Sequence, residues 1–460
     1  MRRAPMLAVL LTGQVMASID GSIVSVAAPT IRAGLGASGA EIQLIVSGYL
    51  LTMGVLFVSC ARLGDIIGHR RTFLIGLGWF TAASLICGLA VSPTMLVLTR
   101  LVQAVGAALL MPQVFSLIHR NWEGAARRRA IGVYSTVLAL GVVLGQVGGG
   151  LVAGSDLFGL SWRPVFLINV PIGVVALLIG SRVLTGSGSG GTGRRARLDP
   201  IGVALLTLSM TAIMLPLTLG PDHGWPAWTG IVLAAGVLLL VAFARYELTA
   251  RDPVLDLAAL RPRPVRFGML ACCIVMGCYT AFLLTLTLHL QSQLGYTPLQ
   301  AGLTFAPYAI GFGALSLTWN YYPERVQRAL PVVGPVLYGV GLALVVILFR
   351  DHWQPIASIP LLLIAGAGHA ASYSPLIARI SARVEPRLAS AISALNSTGP
   401  TLAEVIAVAG LGSLYFAAST SADGLLHVVI AVAVMLAAAA VCAALSMTTL
   451  RAVTELPSDA

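Results

Sequence analysis

Apolar runs of about 20 residues, each bounded by arginine, proline or glycine, follow one another along the whole chain, and this recurrence is what most restricts its fold. A hydrocarbon core of roughly 30 Å calls for helices of that length, because in lipid every backbone N–H and C=O must find its partner inside the segment. Barrel strands would instead alternate polar and apolar residues over about ten positions. The expected class is an all-α polytopic membrane protein. With 57% hydrophobic and 10% charged residues and a mean hydropathy of +0.91, 460 residues lack the polar surface that a soluble globule needs. The first run follows Arg2 and Arg3 as a secretory leader would, but it is long and carries Asp20, so it reads as a retained span.

The punctuation places fourteen spans near residues 6–29, 42–62, 72–91, 95–116, 130–154, 164–184, 200–220, 227–247, 266–290, 299–319, 330–349, 356–377, 388–416 and 425–449. The chain has no lysine, so arginine alone reports orientation. Assigning successive connections to alternate sides puts 24 of the 28 basic residues on the side of the N-terminus. Only Arg32, Arg163 and Arg350 fall on the other side, and Arg100 lies within a span. The positive-inside rule then puts both termini in the cytoplasm of a multi-pass protein of a bacterial inner membrane. The net charge of +11 is therefore topological. No basic stripe is interleaved with aromatics, so no nucleic-acid partner is expected. The six cysteines lie in apolar runs without metal-ligand spacing, and neither a disulfide nor a metal site is expected.

A Gly/Ser run from Gly186 to Gly193, followed by Arg194, Arg195 and Arg197, reads as a flexible cytoplasmic linker. The expected organisation is a six-helix bundle at 1–184, the linker at 185–199, two additional spans with a basic loop at 200–265, and a second six-helix bundle with a short tail at 266–460. A weak repeat supports two homologous halves: Gly106, Pro112 and Arg120 in span four recur as Gly368, Pro375 and Arg383 in span twelve. Transporters built this way carry their substrate site between the halves, near the midplane.

Four stretches carry most of the remaining information. They are Ile19-Asp20-Gly21-Ser22 through Pro29 in span one, Arg62-Leu63-Gly64-Asp65-Ile66-Ile67-Gly68-His69-Arg70-Arg71 after span two, Arg100 through Ala108 in span four, and Gly141 through Gly150 in span five. With Trp162-Arg163-Pro164 and Asn169 leading into span six, they resemble the signatures of the major facilitator superfamily, specifically its fourteen-span drug:proton antiporter family, over nearly the whole chain. The resemblance implies the major facilitator fold, with two six-helix bundles plus two extra transmembrane helices. It also implies export of small organic molecules in exchange for protons by alternating access, with the proton as coupling ion and no other cofactor. The pattern departs at Ala61, Ile66, Ala104 and Gln146, where a glycine, a basic residue, a glycine and a proline are usual.

Asp20 and Glu404 each lie about 15 residues into a span, where a carboxylate costs roughly 2.5–3.5 kcal/mol on insertion scales. Each either binds a proton or a cationic substrate, or makes a structural hydrogen bond to a neighbouring helix. Arg100 either holds a carboxylate or snorkels to the interface; Gln103 shares its helix face. In the loop motif, Gly64 and Gly68 permit a tight turn, Arg70 and Arg71 supply charge, and the Asp65 carboxylate is placed to accept from a helix N-terminus at the cytoplasmic gate. By resemblance, Gly141, Gly145, Gln146, Gly149 and Gly150 form the antiporter motif, and plain close packing of small residues is the other reading. His369 is a candidate proton relay. Gln103, His289, Gln291, Tyr308, Tyr373 and Asn396 are candidate cavity lining, or else helix core.

The expected partners are the lipid bilayer and a small substrate, lipophilic or cationic, handled by a monomer. A dedicated transporter of one metabolite or of a self-made antibiotic, or an importer, fits the same residues. No nucleophile constellation or phosphate loop points to an enzyme or an ATP-driven pump, and no filter-like repeat points to a channel.

Overall fold

The computed structural model describes residues 3–123, 126, 129–130, 133–134, 141, 145, 147–154, 159–184, 199–250, 253–383 and 389–452. Among these residues there is no strand, and thirteen helices are long and apolar enough to cross a membrane. They are α1 (Arg3–Leu35), α2 (Gly39–Ile67), α3 (His69–Gly88), α4 (Pro93–Asn121), α5 (Pro164–Val183), α6 (Pro200–Leu219), α7 (Ala227–Glu247), α8 (Arg263–Ser292), α9 (Pro298–Tyr321), α10 (Glu324–Phe349), α11 (Pro355–Arg383), α12 (Ala389–Phe416) and α13 (Ser421–Ala452). They coincide with thirteen of the fourteen expected spans. Of the fifth expected span, 130–154, much lies outside the described residues, including Gln146; residues 147–154 are helical. The linker sequence 185–198 also lies outside them.

Most helices overrun their apolar windows because capping chemistry, not hydropathy, sets their ends. Ser38 and Glu41 form a capping box at the start of α2. Ser92 caps α4 ahead of Pro93, and Asp199 caps α6 ahead of Pro200. Gly68, at φ +97°, makes the break between α2 and α3 in a conformation that residues with a Cβ rarely adopt.

The chain forms two compact units, Met1–Val254 with Gly295–Leu303, and Leu255–Leu294 with Thr304–Ala460. In the first, α3 packs on α4 through facing glycines: a Cβ at Gly76 would lie 2.7 Å from Leu110 N, and one at Gly106 would lie 2.6 Å from Phe80 N. The second unit repeats this joint between α10 and α11. A Cβ at Gly334 would lie 2.6 Å from Ser372 N, and one at Gly368 would lie 2.5 Å from Tyr338 N. The repeat of Gly106 as Gly368 is thus a repeat of packing, with Gly76 and Gly334 as partners that the sequence comparison did not pair. The spans α6 and α7 pair with each other through Gly236 against Ile213, and α6 touches α2. The outer face of α7 is apolar and open, with Ile231, Leu238 and Val241 exposed as lipid-facing residues are.

Candidate functional site

At the centre of the first unit, Asp20 on α1 and Arg100 on α4 form a buried ion pair, with side chains 0% and 1% exposed. Asp20 lies far from either end of α1, so neither charge can reach water by snorkelling. Arg100 Nη1 donates to Asp20 Oδ2 and, at 2.6 Å, to Gln103 Oε1. Gln103 Nε2 donates to Asp20 Oδ1 at 2.9 Å and to Ser84 Oγ at 2.8 Å, and Asn169 Nδ2 of α5 donates to Asp20 Oδ1 at 3.2 Å. The guanidinium lies over the Tyr49 ring, 3.9 Å from its centroid, and Arg100 Nε donates to Ile45 O at 3.4 Å. One network therefore ties α1, α2, α3, α4 and α5 together. Charge, hydrogen bonds and an aromatic face together meet the demand that a buried pair be fully satisfied.

Gln103, expected as cavity lining, is fully buried and committed to this network. Tyr49, Ser84 and Cys87 also belong to it, and the sequence offered no sign of them: each is an ordinary residue of an apolar run.

At the α2–α3 break, Asp65 Oδ1 lies 3.2 Å from His69 Nε2 and 3.7 Å from Arg120 Nη2, within ion-pair reach of both. Its partners are thus side chains of α3 and α4. Gln113 fixes the other side of the imidazole, because its Nε2 donates to Cys60 O at 2.8 Å and leaves Oε1 to accept from His69 Nδ1 at 2.7 Å. With Nδ1 donating to Gln113, the contact between Nε2 and Asp65 is a hydrogen bond only when the imidazole is doubly protonated. A Cβ at Gly64 would overlap Gln113 Oε1, so glycine is required for this close approach. Arg70 Nη2 donates to Ser181 O at 2.7 Å, while Arg71 is exposed.

Gly141, Gly145 and Gly149 lie against α1 at successive turns, facing Ser18, Ser22 and Ile23. At Gly145 a Cβ would overlap Ser22 Oγ and come 2.9 Å from Ile19 O. Gly150 faces the backbone of Pro298 and Leu299 in the same unit.

In the second unit Glu404 of α12 is half-buried, and Thr280 of α8 is its hydrogen-bonding neighbour. No arginine or histidine among the described residues forms an ion pair with it. On the same unit, Tyr373 Oη donates to Asn396 Oδ1 at 3.0 Å, and both side chains are half-buried.

His369 sits elsewhere, in an aromatic box. Its Nδ1 is 2.6 Å from the Tyr308 hydroxyl, its ring stacks on Tyr338, and Phe312 and Tyr279 flank it. Its Nε2 is buried without a hydrogen-bond partner. His289 lies near the end of α8, with Nε2 2.7 Å from Arg350 O, and Gln291 is half-buried beyond it. Tyr308 is core, packed on His369, whereas Tyr373 and Asn396 are half-buried and bonded to each other.

The family model described as Major Facilitator Superfamily matches residues 10–407. The chain belongs to the Major Facilitator Superfamily. Among its relatives in the superfamily, a probable actinorhodin transporter of Streptomyces coelicolor is 34% identical over 90% of this chain and 73% of its own length. The cephamycin export protein CmcT of Amycolatopsis lactamdurans is 35% identical over 84% of this chain and 80% of its own. Among solved structures, an inward-facing, unoccupied bacterial homologue of the human lysosomal transporter Spinster matches with a TM-score of 0.71 at 18% identity, covering 100% of this chain and 99% of that one. The all-α superfamily fold and the multi-pass membrane character follow from the helices and the family together. Among the described residues, Asp20 and Glu404 are the carboxylates that lie well inside a helix long and apolar enough to span a membrane.

Proposed function

We propose that this chain is a secondary active exporter of small lipophilic organic compounds in a bacterial cytoplasmic membrane, with both termini in the cytoplasm. Proton entry drives it, and it works by alternating access. The direction of transport is supported by relatives named as an antibiotic transporter and an antibiotic export protein. The coupling assignment rests on one contrast between the two intramembrane acids. Asp20 is already neutralised by Arg100, whereas Glu404 has no cation within ion-pair reach among the described residues.

A carboxylate at span depth is tolerated when it is protonated or bound to a cation. Proton and a cationic or amine-bearing substrate therefore compete for Glu404. Loading a proton from outside releases substrate, and loading substrate from inside releases the proton. The electrical drive is about 2.3 kcal/mol per charge per 100 mV. Asp20 and Arg100 then act as a buried clasp that fixes α1 against α4 and positions the bundle, and His369 packs rather than relays.

The test is accumulation of a chemically diverse compound panel in proteoliposomes under an imposed pH gradient. Glu404→Gln is expected to abolish gradient-driven accumulation and, because the carboxylate shared by proton and substrate is gone, to weaken counterflow of the cationic and amine-bearing panel members while the protein still inserts and folds. Wild-type driven rates in Glu404→Gln would sink the assignment. The antibiotic-specific names of both relatives favour a second reading, a dedicated exporter of one compound. Transport of a single panel member, with the rest ignored, selects it.

A further inference from the structure

Between α2, α4 and α6, within the first unit, lies a partly open groove of about 370 Å³. Its wall is made by Gly48, Leu51 and Val55 of α2, Leu101 of α4, and Thr211 and Leu215 of α6, and it is almost wholly apolar. On α6 the groove begins at Thr207, whose hydroxyl donates to Val203 O at 2.7 Å in its own helix. That donor is therefore spent, and no charged residue lines the groove.

The lining runs lengthwise along the three helices. It runs from Leu44 to Leu56, where α2 begins at Gly39. It includes Val97 and Leu101, where α4 begins at Pro93, and runs from Thr207 to Leu215, where α6 ends at Leu219. At about 1.5 Å per residue, the lining starts one to two turns below the helix ends opposite the arginine-rich connections and reaches about 18 Å further along α2, so the groove opens at that leaflet and extends to the midplane. Beyond the hydroxyls of Thr52 and Thr211 the lining offers water no partner, and a void there would leave its apolar wall without contacts on one side. The surrounding medium at that depth is hydrocarbon.

We infer that this groove is a specific site for one acyl chain of a membrane phospholipid from the leaflet opposite the arginine-rich side, and that the chain fills the seam between the additional spans and the bundle. The size suits a single chain, and Gly48 lets α2 approach Leu101 of α4 closely, where a Cβ would come 3.0 Å from Leu101 Cδ2, which closes the floor of the groove. The site is separate from Glu404 and does not depend on the direction or coupling of transport. It gives α6 a role, as the third wall of a lipid site.

The experiment uses the full chain in nanodiscs containing phosphatidylglycerol with a diazirine in mid-acyl position, with photo-adducts mapped by mass spectrometry. Leu238, 70% exposed on the open face of α7, reports passing lipid. Adducts at Leu51 and Leu215 are expected to exceed those at Leu238 by about tenfold, the ratio equivalent to 1.4 kcal/mol of preference. Thr211→Phe, which fills the groove, is expected to bring Leu51 down to the Leu238 level while Leu238 labelling stays constant. Equal labelling of groove and reference in the wild-type protein overturns the proposal, and this arm needs no variant to fold. Adducts that persist in a well-folded Thr211→Phe overturn it too. So does displacement of the lipid adducts by a lipophilic amine at equimolar concentration, which would make the groove a substrate site.

Discussion

Neutralising Asp20 tests whether the buried pair is a clasp. In Asp20→Asn the amide keeps the shape of the carboxylate, but its NH₂ must face one of the donors now held by Oδ1 and Oδ2, which come from Arg100, Gln103 and Asn169. At least one charge-assisted bond is lost, and the guanidinium stays 1% exposed with no counter-charge. Removing one partner of a buried pair typically costs about 3–5 kcal/mol. Here the Tyr49 face and the carbonyl of Gln103 remain against Arg100 and hold the loss near the lower end, about 3 kcal/mol. Arg100→Gln leaves the carboxylate with two amide donors and no cation, and is expected to lose about 4 kcal/mol.

The double variant Asp20→Asn with Arg100→Gln carries no buried charge. It is expected to lose less than either single variant, which corresponds to a coupling of several kcal/mol. Thermal unfolding in nanodiscs reads this directly. At about 2–4 °C per kcal/mol for a unit of this size, the single variants should melt about 6–16 °C below wild type, and the double variant should recover much of that loss. Additive losses, or single variants that melt with the wild type, would refute the clasp.

Three further perturbations separate packing from chemistry. Gly145→Ala drives a methyl group into Ser22 Oγ and Ile19 O and is expected to lose about 1–3 kcal/mol, read as a lower melting temperature. Adding Ser22→Ala should restore part of it, and Gly148→Ala, with nothing within 4 Å of its Cβ, should melt with the wild type. Gln113→Leu orphans His69 Nδ1 and removes the second donor to Cys60 O, an expected loss of about 1–3 kcal/mol in the same assay. Arg120→Ala, which breaks a pair 35% and 52% exposed, should change stability by less than about 1 kcal/mol.

The spans were legible because lipid leaves the chain few choices. A run of about 20 apolar residues has to be a helix, whatever it packs against. The repeat was legible at Gly106 and Gly368 because close helix contact admits nothing larger. Its other half, Gly76 and Gly334, lies in spans three and eleven, where Pro331 and Pro335 flank Gly334 but no proline stands near Gly76 to match them. The individual charges at Asp20 and Arg100 were equally visible, since a charge inside a span must be accounted for. Their pairing was not, because 80 residues separate them and the sequence does not say which faces of α1 and α4 meet. Tyr49 shows the limit most clearly: an aromatic in an apolar run is unremarkable until a guanidinium is found 3.9 Å from its face.

The same reasoning explains why two acids with nearly equal sequence signals part company in the structure. A span position sets how strongly a carboxylate needs a partner, but only the fold decides whether the protein supplies one. Asp20 receives Arg100, Gln103 and Asn169, each from a helix locked in place by small residues or by a network partner. Glu404 has Thr280 as its hydrogen-bonding neighbour and, among the described residues, no ion-pair partner. The need that the protein leaves unmet at Glu404 is one that a mobile cation can fill and leave again, and a transporter coupled to protons requires that reversibility. A fully satisfied carboxylate has little reason to exchange its partner. Substituting the two acids should therefore fail differently: Asp20→Asn first in stability, and Glu404→Gln first in coupling, with its melting temperature held or raised because an unpaired carboxylate is gone. A Glu404→Gln protein that melts well below the wild type would mean that Glu404 is already paired within the fold, and the proposed exchange would lose its site.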